Sequence, residues 1–349
     1  MFDRRRALII ALAASATLLS TAHAQPKDAV ADFYSGKTIR VLVGFGAGGG
    51  YDLYARTLAR HMGRYIPGKP TLVVQNMPGA GSLRAVNYLY GVAPKDGTVI
   101  ATFARGIVLE PLLGRTEGTQ FEATKFNWLG SISNEVSVCA FMDTSGIKTW
   151  QDQRVKKHTI GASGTGADSD VFPNVLRNLF QLPLKIVTGY AGGADLVLAM
   201  ERREIDGRCG WSWTSLVSRS RALYDSGKLN VTLQIALGRH EELPDVPLLM
   251  DLTDNLDEKA ALKLIVSRQS MARPFAAPPG VPEDRMQALR AAFDATMHDA
   301  EFVAEAKKQE LEVRPVPGVE IAALLRDLYA SPPDVIKQAS EIMRDNPTP

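Results

Sequence analysis

The stretch Thr38-Ile39-Arg40-Val41-Leu42-Val43-Gly44-Phe45-Gly46-Ala47-Gly48-Gly49-Gly50-Tyr51-Asp52 decides the fold. Its first six residues form a β-branched, apolar run that reads as a strand. Three consecutive glycines then permit backbone conformations closed to other residues. From Asp52, apolar positions at Leu53, Leu58 and Met62 predict an amphipathic helix over 52–64. A strand, a glycine loop and a helix in that order make half of a β-α-β unit. The same rhythm continues outward. A strand is expected over 71–75, a turn at Pro78-Gly79-Ala80-Gly81, a helix N-capped by Ser82 and running to Tyr90, and a strand over 98–103. This alternation predicts an α/β fold with a mainly parallel sheet flanked by helices.

The rhythm restarts in the middle of the chain. Strands are expected over 158–162, 184–188 and 205–209, with helices over 168–180 and 194–203 between them. This second α/β unit has a similar plan without a sequence repeat. After Leu237 the character changes. Pro278-Pro279-Gly280-Val281-Pro282 is a stiff connection that leads into a helix, where Met286, Leu289, Phe293 and Met297 recur every three or four residues. That stripe is expected to be core contact.

The chain has 349 residues and a formal charge of +2. Its 45% hydrophobic and 22% charged residues exclude a disordered or low-complexity chain. The absence of a basic excess argues against nucleic-acid binding. The surplus charge belongs to the N-terminus, since without Asp3, Arg4, Arg5 and Arg6 acids and bases balance. Residues 1–24 read as a secretory signal peptide: a basic start, an apolar run from Ala7 to Leu19, and Ala22-His23-Ala24 as the cleavage site. The apolar run is shorter than the ~20 residues of a membrane span. In an oxidising compartment Cys139 and Cys209 either pair or remain as two buried thiols, and the sequence leaves both readings open.

Four glycine-containing strand exits are candidates for ligand chemistry. In the first, the loop and the helix start at Gly46, Ala47, Gly48 and Gly49 offer convergent N–H groups, a nest for an anion. Tyr51 is placed to cover a ligand. Asp52 is placed either to cap the helix or to bond a ligand amine or hydroxyl. The second exit is Gly79, Ala80, Gly81 and Ser82; the third holds Ser163, Gly164, Thr165, Ser169 and Asp170; the fourth surrounds Tyr190. Ligands of parallel sheets bind outside the carboxyl ends of strands, so the four converge on one cleft. Arg84, Arg105 and Arg208 lie near these exits and suit a carboxylate, while Trp211 and Trp213 either wall the pocket or pack in the core.

Catalytic and metal motifs are missing. Gly44-x-Gly46-x-x-Gly49 matches a dinucleotide fingerprint, but the next strand ends in Gln75-Asn76, with no acid for a ribose. Gly161-Ala162-Ser163-Gly164-Thr165 breaks the nucleophile-elbow pattern at its last position. The histidines lie far apart. No cofactor or metal is expected. A secreted enzyme with Asp52, Asp168 or Asp170 as acid or base is the rival reading, and a ligand sensor is another.

The run from Gly36 to Arg56 resembles the receptors of tripartite tricarboxylate transporters, the Bug family. So do Asn76-Met77-Pro78-Gly79-Ala80-Gly81, Ala93-Pro94-Lys95-Asp96-Gly97, Leu243-Pro244-Asp245-Val246-Pro247 and the segment Arg273-Pro274-Phe275-Ala276-Ala277-Pro278. The resemblance covers nearly all of the chain after the leader. It implies a periplasmic binding protein of the two-lobed, type II-like form, monomeric, that delivers a small carboxylate to integral-membrane permease subunits. It also implies that residues 25–134 with 236–349 form one lobe and 135–235 the other. Main-chain amides of loops 46–52 and 79–82 would hold one carboxylate, and loops 163–170 and the turn at Tyr190 would supply the second-lobe contacts. The chain departs from the family pattern at Gly44, Gly46, Tyr51, Leu83-Arg84, Asp170 and Gly189-Tyr190-Ala191.

Overall fold

The computed structural model describes residues 29–345; the expected signal peptide and its cleavage site lie outside them. Eleven strands are present among the described residues. They are β1 (Thr38–Val43), β2 (Thr71–Asn76), β3 (Val99–Thr102), β4 (Asn127–Ser131), β5 (Ser137–Met142), β6 (His158–Gly161), β7 (Leu184–Val187), β8 (Gly207–Ser212), β9 (Leu229–Ile235), β10 (Pro274–Ala277) and β11 (Val316–Pro317). The helices are α1 (Ala29–Tyr34), α2 (Gly50–Met62), α3 (Leu83–Gly91), α4 (Trp150–Val155), α5 (Asp168–Phe180) and α6 (Gly193–Glu201). They continue with α7 (Trp213–Asp225), α8 (Leu256–Val266), α9 (Glu283–Met297), α10 (Ala300–Lys308), α11 (Gly318–Tyr329) and α12 (Pro333–Met343). No described helix is long and apolar enough to cross a membrane.

The strands form a six-stranded sheet, order β11-β4-β10-β3-β1-β2, and a five-stranded sheet, order β7-β6-β8-β5-β9. The β-α-β units read from the sequence give the parallel pairings β1 with β2 and β3, and β6 with β7 and β8. The expectation of mainly parallel sheets is corrected. Antiparallel pairings join β10 to β3 and β4, β11 to β4, and β5 to β8 and β9. The added strands enter where the chain crosses from one sheet to the other, between β4 and β5 and again after β9. They arrive in the reversed direction and pair accordingly. The third strand of the second sheet also sits later than expected, at Gly207–Ser212 rather than 205–209.

Local sequence accounts for the elements that carry the site. α2 buries Tyr54, Ala55, Leu58 and Met62, one face at helical spacing, while Arg56 and Arg60 remain in water. Met286, Leu289, Phe293 and Met297 of α9 are buried against the first sheet with Ile39, Val41 and Val43, the core role their spacing predicted. A second apolar cluster does not stop at the sheet boundary. It joins Leu42 and Phe103 of the first half to Cys139, Phe141, Ile160 and Phe172 of the second. The C-terminal helix α12 packs on both α8 and α5. There Asn178 Nδ2 donates to the Ile342 and Arg344 carbonyls at 2.8 and 2.6 Å, and Arg177 pairs with Asp345 at 3.1 Å.

Cys139 and Cys209 form a disulfide between the antiparallel neighbours β5 and β8, where their pairing register shifts. The bridge closes a loop with a sequence separation of 70 residues. In the chain-entropy picture such a loop stabilises by about 4 kcal/mol. Melting under reductant is therefore expected to fall by roughly 5–10 °C. An unchanged melting temperature, with thiol titration proving reduction, would remove this role.

Candidate functional site

A cavity of about 210 Å³ lies between the two sheets. Four helices begin at its wall: α2 through Gly49, Gly50 and Tyr51, α5 through Ala167, Asp168 and Ser169, α6 through Gly193 and Ala194, and α7 through Ser212 and Ser215. The N-cap positions are Gly49, Ala167, Gly192 and Ser212, and none supplies a side-chain cap. Each start without a side-chain cap offers the positive end of a helix dipole, equivalent to about half a charge, although at α7 the Trp213 amide already donates to the Val136 carbonyl. The close approach of α5 to β8 depends on Gly210, at φ +69, where a Cβ would overlap the Asp168 backbone. The apolar part of the wall comes from Phe45, Leu196, Val197 and Trp211.

Four arginines line the same cavity: Arg105, Arg208, Arg219 and Arg273. Arg105 is buried; its Nε donates to Asp168 at 2.6 Å and its Nη2 to Ser137 Oγ at 2.8 Å. Burial opposes the Arg105 charge most strongly, but Asp168, Tyr51 and Glu135 together outweigh it and hold the pKa above the ordinary value. Arg273 is buried too. It pairs with Glu135 at 2.9 Å, donates to Ser215 Oγ at 2.8 Å, and stacks over Tyr51 and Tyr54 at 4.7 and 5.0 Å. The Tyr51 hydroxyl accepts the Arg105 amide at 3.2 Å, and burial raises its pKa. Arg208 is 8% exposed. Its Nη1 donates to the Gly193 carbonyl at 3.0 Å, its plane rests on Trp211 at 4.7 Å, and its Nε has no partner. Burial, reinforced by repulsion from Arg273, pulls its pKa down to about 9. Arg219 is exposed at the rim.

Of the residues singled out in the sequence, Gly48, Gly49, Tyr51, Arg105, Ser163, Asp168, Ser169, Arg208 and Trp211 come together around the cavity. Others do not. Asp52 is the third residue of α2 and neither caps the helix nor lines the cavity. Its carboxylate accepts from Gly48 N, Arg56 Nε and Asn76 Nδ2, each at 2.9 Å, so it braces the loop. Although its burial acts the other way, the Arg56, Gly48 and Asn76 hydrogen bonds hold its pKa low. Ser82 does not cap α3, because its Oγ donates to the Gly44 carbonyl and accepts from Ala104 N, both at 3.1 Å. Ala47 and Arg84 are exposed and outside the cavity wall. Asp170 turns to Arg115, 2.7 Å away.

Several of the amides expected to hold a carboxylate are engaged elsewhere, Gly48 N by Asp52 among them. Gly46 N donates to the Ala191 carbonyl at 2.9 Å, and Gly81 N to the Ser163 carbonyl at 3.3 Å. The loops of the two halves meet face to face, with Ala80, Gly81, Gly164 and Thr165 in the contact zone, while Gly79 and Tyr190 lie outside the cavity wall. Arg273, Ser215 and Arg219 escaped the sequence reading because they reach the cavity from distant segments. Arg273 lies immediately before β10, a strand with no visible periodicity.

No family model matches the chain. A UPF0065 protein of Cupriavidus necator is 32% identical over 126 residues, which is 36% of this chain and 35% of that protein, so this match spans about a third of the relative's length. A UPF0065 protein of Bordetella pertussis is 23% identical over 305 residues, 86% of this chain and 85% of that one. The chain is a UPF0065 homologue. The UPF0065 homologue has the fold of the periplasmic binding protein BugD, with a TM-score of 0.70, 20% identity, and coverage of 88% of this chain and 98% of that one. Its fold is also that of MatC from Rhodopseudomonas palustris with bound malate, at TM-score 0.66, 16% identity and coverage of 87% and 99%. A third structure, an R. palustris protein with adipate, gives 0.67 at 18% identity and coverage of 87% and 97%. BugD is a periplasmic binding protein, and a TctC protein from Polaromonas with the same fold is a solute binding protein.

Proposed function

We propose that this chain is an extracytoplasmic solute receptor. It captures a small organic carboxylate between two lobes, residues 25–134 with 236–349 and residues 135–235, and presents it to membrane permease subunits of a tripartite transporter. In this reading it is exported to the periplasm by residues 1–24, cleaved after Ala24, and works as a monomer. The observation that carries the reading is the convergence of four uncapped helix starts and a buried arginine without an acid on one cavity. Such a surface favours an anion over a neutral or cationic solute. The volume of about 210 Å³ lies below the ~300–1,000 Å³ typical of pockets for drug-sized molecules and suits a compact acid. Malate in MatC and adipate in its R. palustris neighbour support the same class.

The contacts between loop 46–52 and Ala191, and between Gly81 and Ser163, support closure around the ligand. The test is a thermal-shift and calorimetry panel of mono-, di- and tricarboxylates, aromatic acids and amino acids. A compact dicarboxylate is expected to bind near micromolar, about −8 kcal/mol. At a hundredfold excess over Kd it should stabilise the protein by about 2.7 kcal/mol. If every acid in the panel leaves the melting curve and the calorimeter silent, the reading fails.

A further inference from the structure

Five arginines are buried among the described residues: Arg105, Arg177, Arg208, Arg268 and Arg273. Four of them have a carboxylate within 4.0 Å: Asp168 for Arg105 and Arg268, Asp345 for Arg177 and Glu135 for Arg273. Arg208 has none. Replacing an uncompensated buried cation by a neutral side chain commonly stabilises a protein, so its presence at a cavity wall calls for a counter-charge that no described residue supplies. Its setting is also stiff. Trp211 holds the guanidinium plane from one side, the Gly193 carbonyl fixes Nη1, and the disulfide at the adjacent Cys209 ties β8 to β5. The Nε edge is the part left without an acceptor, and that edge matches a carboxylate in two-point geometry.

We propose that Arg208 is the ligand's anchor: the anionic group is held directly by a second-sheet guanidinium rather than by the amides of the first-sheet glycine loops. This rests on the solute-receptor reading above and names the side chain that decides it. Several loop amides are already committed: Gly46 N and Gly81 N bond the opposite half, Ser82 N bonds the Gly79 carbonyl, and Gly48 N bonds Asp52. Burial and Arg273 depress the Arg208 pKa, so an arriving anion restores the stability of the charged form. The ligand therefore docks on the second half first, and the first half closes over it.

The test uses the Arg208→Gln and Arg208→Lys variants of the full mature chain, with malate, adipate, inorganic phosphate and an alkylsulfonate as probes. Without ligand, Arg208→Gln is expected to melt roughly 3 °C higher than the parent, because a buried charge has been removed. Its affinity for the carboxylate that binds the parent should fall roughly 100-fold. Arg208→Lys keeps the charge but loses the fork, and should fall less. Parent-like affinity in Arg208→Gln overturns the anchor and leaves the carboxylate reading standing. A ligand-free variant that melts lower, or does not fold, overturns the claim that the charge lacks a partner. If the parent ignores every carboxylate but binds phosphate or the sulfonate, and Arg208→Gln loses that binding, the anchor stands and the carboxylate reading falls. A parent silent to all four probes, with the glutamine variant no more stable, overturns both.

Discussion

Asp168→Asn is expected to cost about 3–5 kcal/mol of folding stability, the usual result of removing one partner from a buried ion pair. Asp168 stands at the first position of α5, on the second half, and reaches across to Arg105 on the first. Its second oxygen faces Arg268 at 3.8 Å. Both guanidinium groups are buried, and each loses its acid when the carboxylate becomes an amide. The Arg105 guanidinium then keeps its hydrogen bond to Ser137 Oγ, and Arg268 keeps carbonyl and sulfur contacts at Ile265 and Met343. Asparagine preserves the volume of the side chain, so packing is not the cause of the loss. Urea unfolding of the two proteins measures it. A difference below about 1 kcal/mol would mean that the pair contributes no more than an exposed one.

Gly81→Ala is expected to weaken ligand binding roughly 100-fold while leaving a folded protein. Gly81 has φ +59, a left-handed conformation that costs alanine about 1–2 kcal/mol. The larger effect is steric. A Cβ there would overlap the Thr165 carbonyl oxygen and lie 2.6 Å from that of Gly164. These neighbours are backbone atoms of the opposite half and cannot rotate away. Overpacking of this kind costs about 1–3 kcal/mol. The two loops can relieve it only by moving apart, which breaks the Gly81 to Ser163 hydrogen bond and disfavours the arrangement that encloses the cavity. Calorimetry with the acid that binds the parent measures the loss, and small-angle scattering measures the separation. Parent affinity in a folded Gly81→Ala protein would show that contact between these loops is not coupled to binding. By contrast, a Cβ at Gly48 would have its nearest neighbours at 3.7 Å, so there the obstacle to a side chain is the φ of +81 and not a lack of space.

The elements legible in the sequence are those where a β-branched run meets a glycine and then a helix. β1 with α2, β6 with α5, and β7 with α6 all follow that pattern. The strands that make the sheets mixed do not. Ser137–Met142 is buried along nearly its whole length and so lacks alternation, and Pro274–Ala277 opens with a proline that argues against a strand. The same gap hid half of the candidate site. A loop residue such as Ser163 announces itself beside a glycine, whereas Arg273 and Ser215 meet at 2.8 Å from segments far apart in the chain. Sequence also located the loops at Gly46 and Gly81 without revealing what they face. Whether an amide is free depends on a carbonyl more than eighty residues away, and local pattern carries no trace of that.

The apolar cluster that joins Leu42 and Phe103 to Phe141 and Phe172 has a calorimetric consequence. With α12 lying across both α5 and α8, neither half keeps a complete core when the other melts. The molecule is thus built to unfold as one cooperative unit, with van't Hoff and calorimetric enthalpies in agreement. An anion bound at the cavity then displaces the whole transition rather than one shoulder of it.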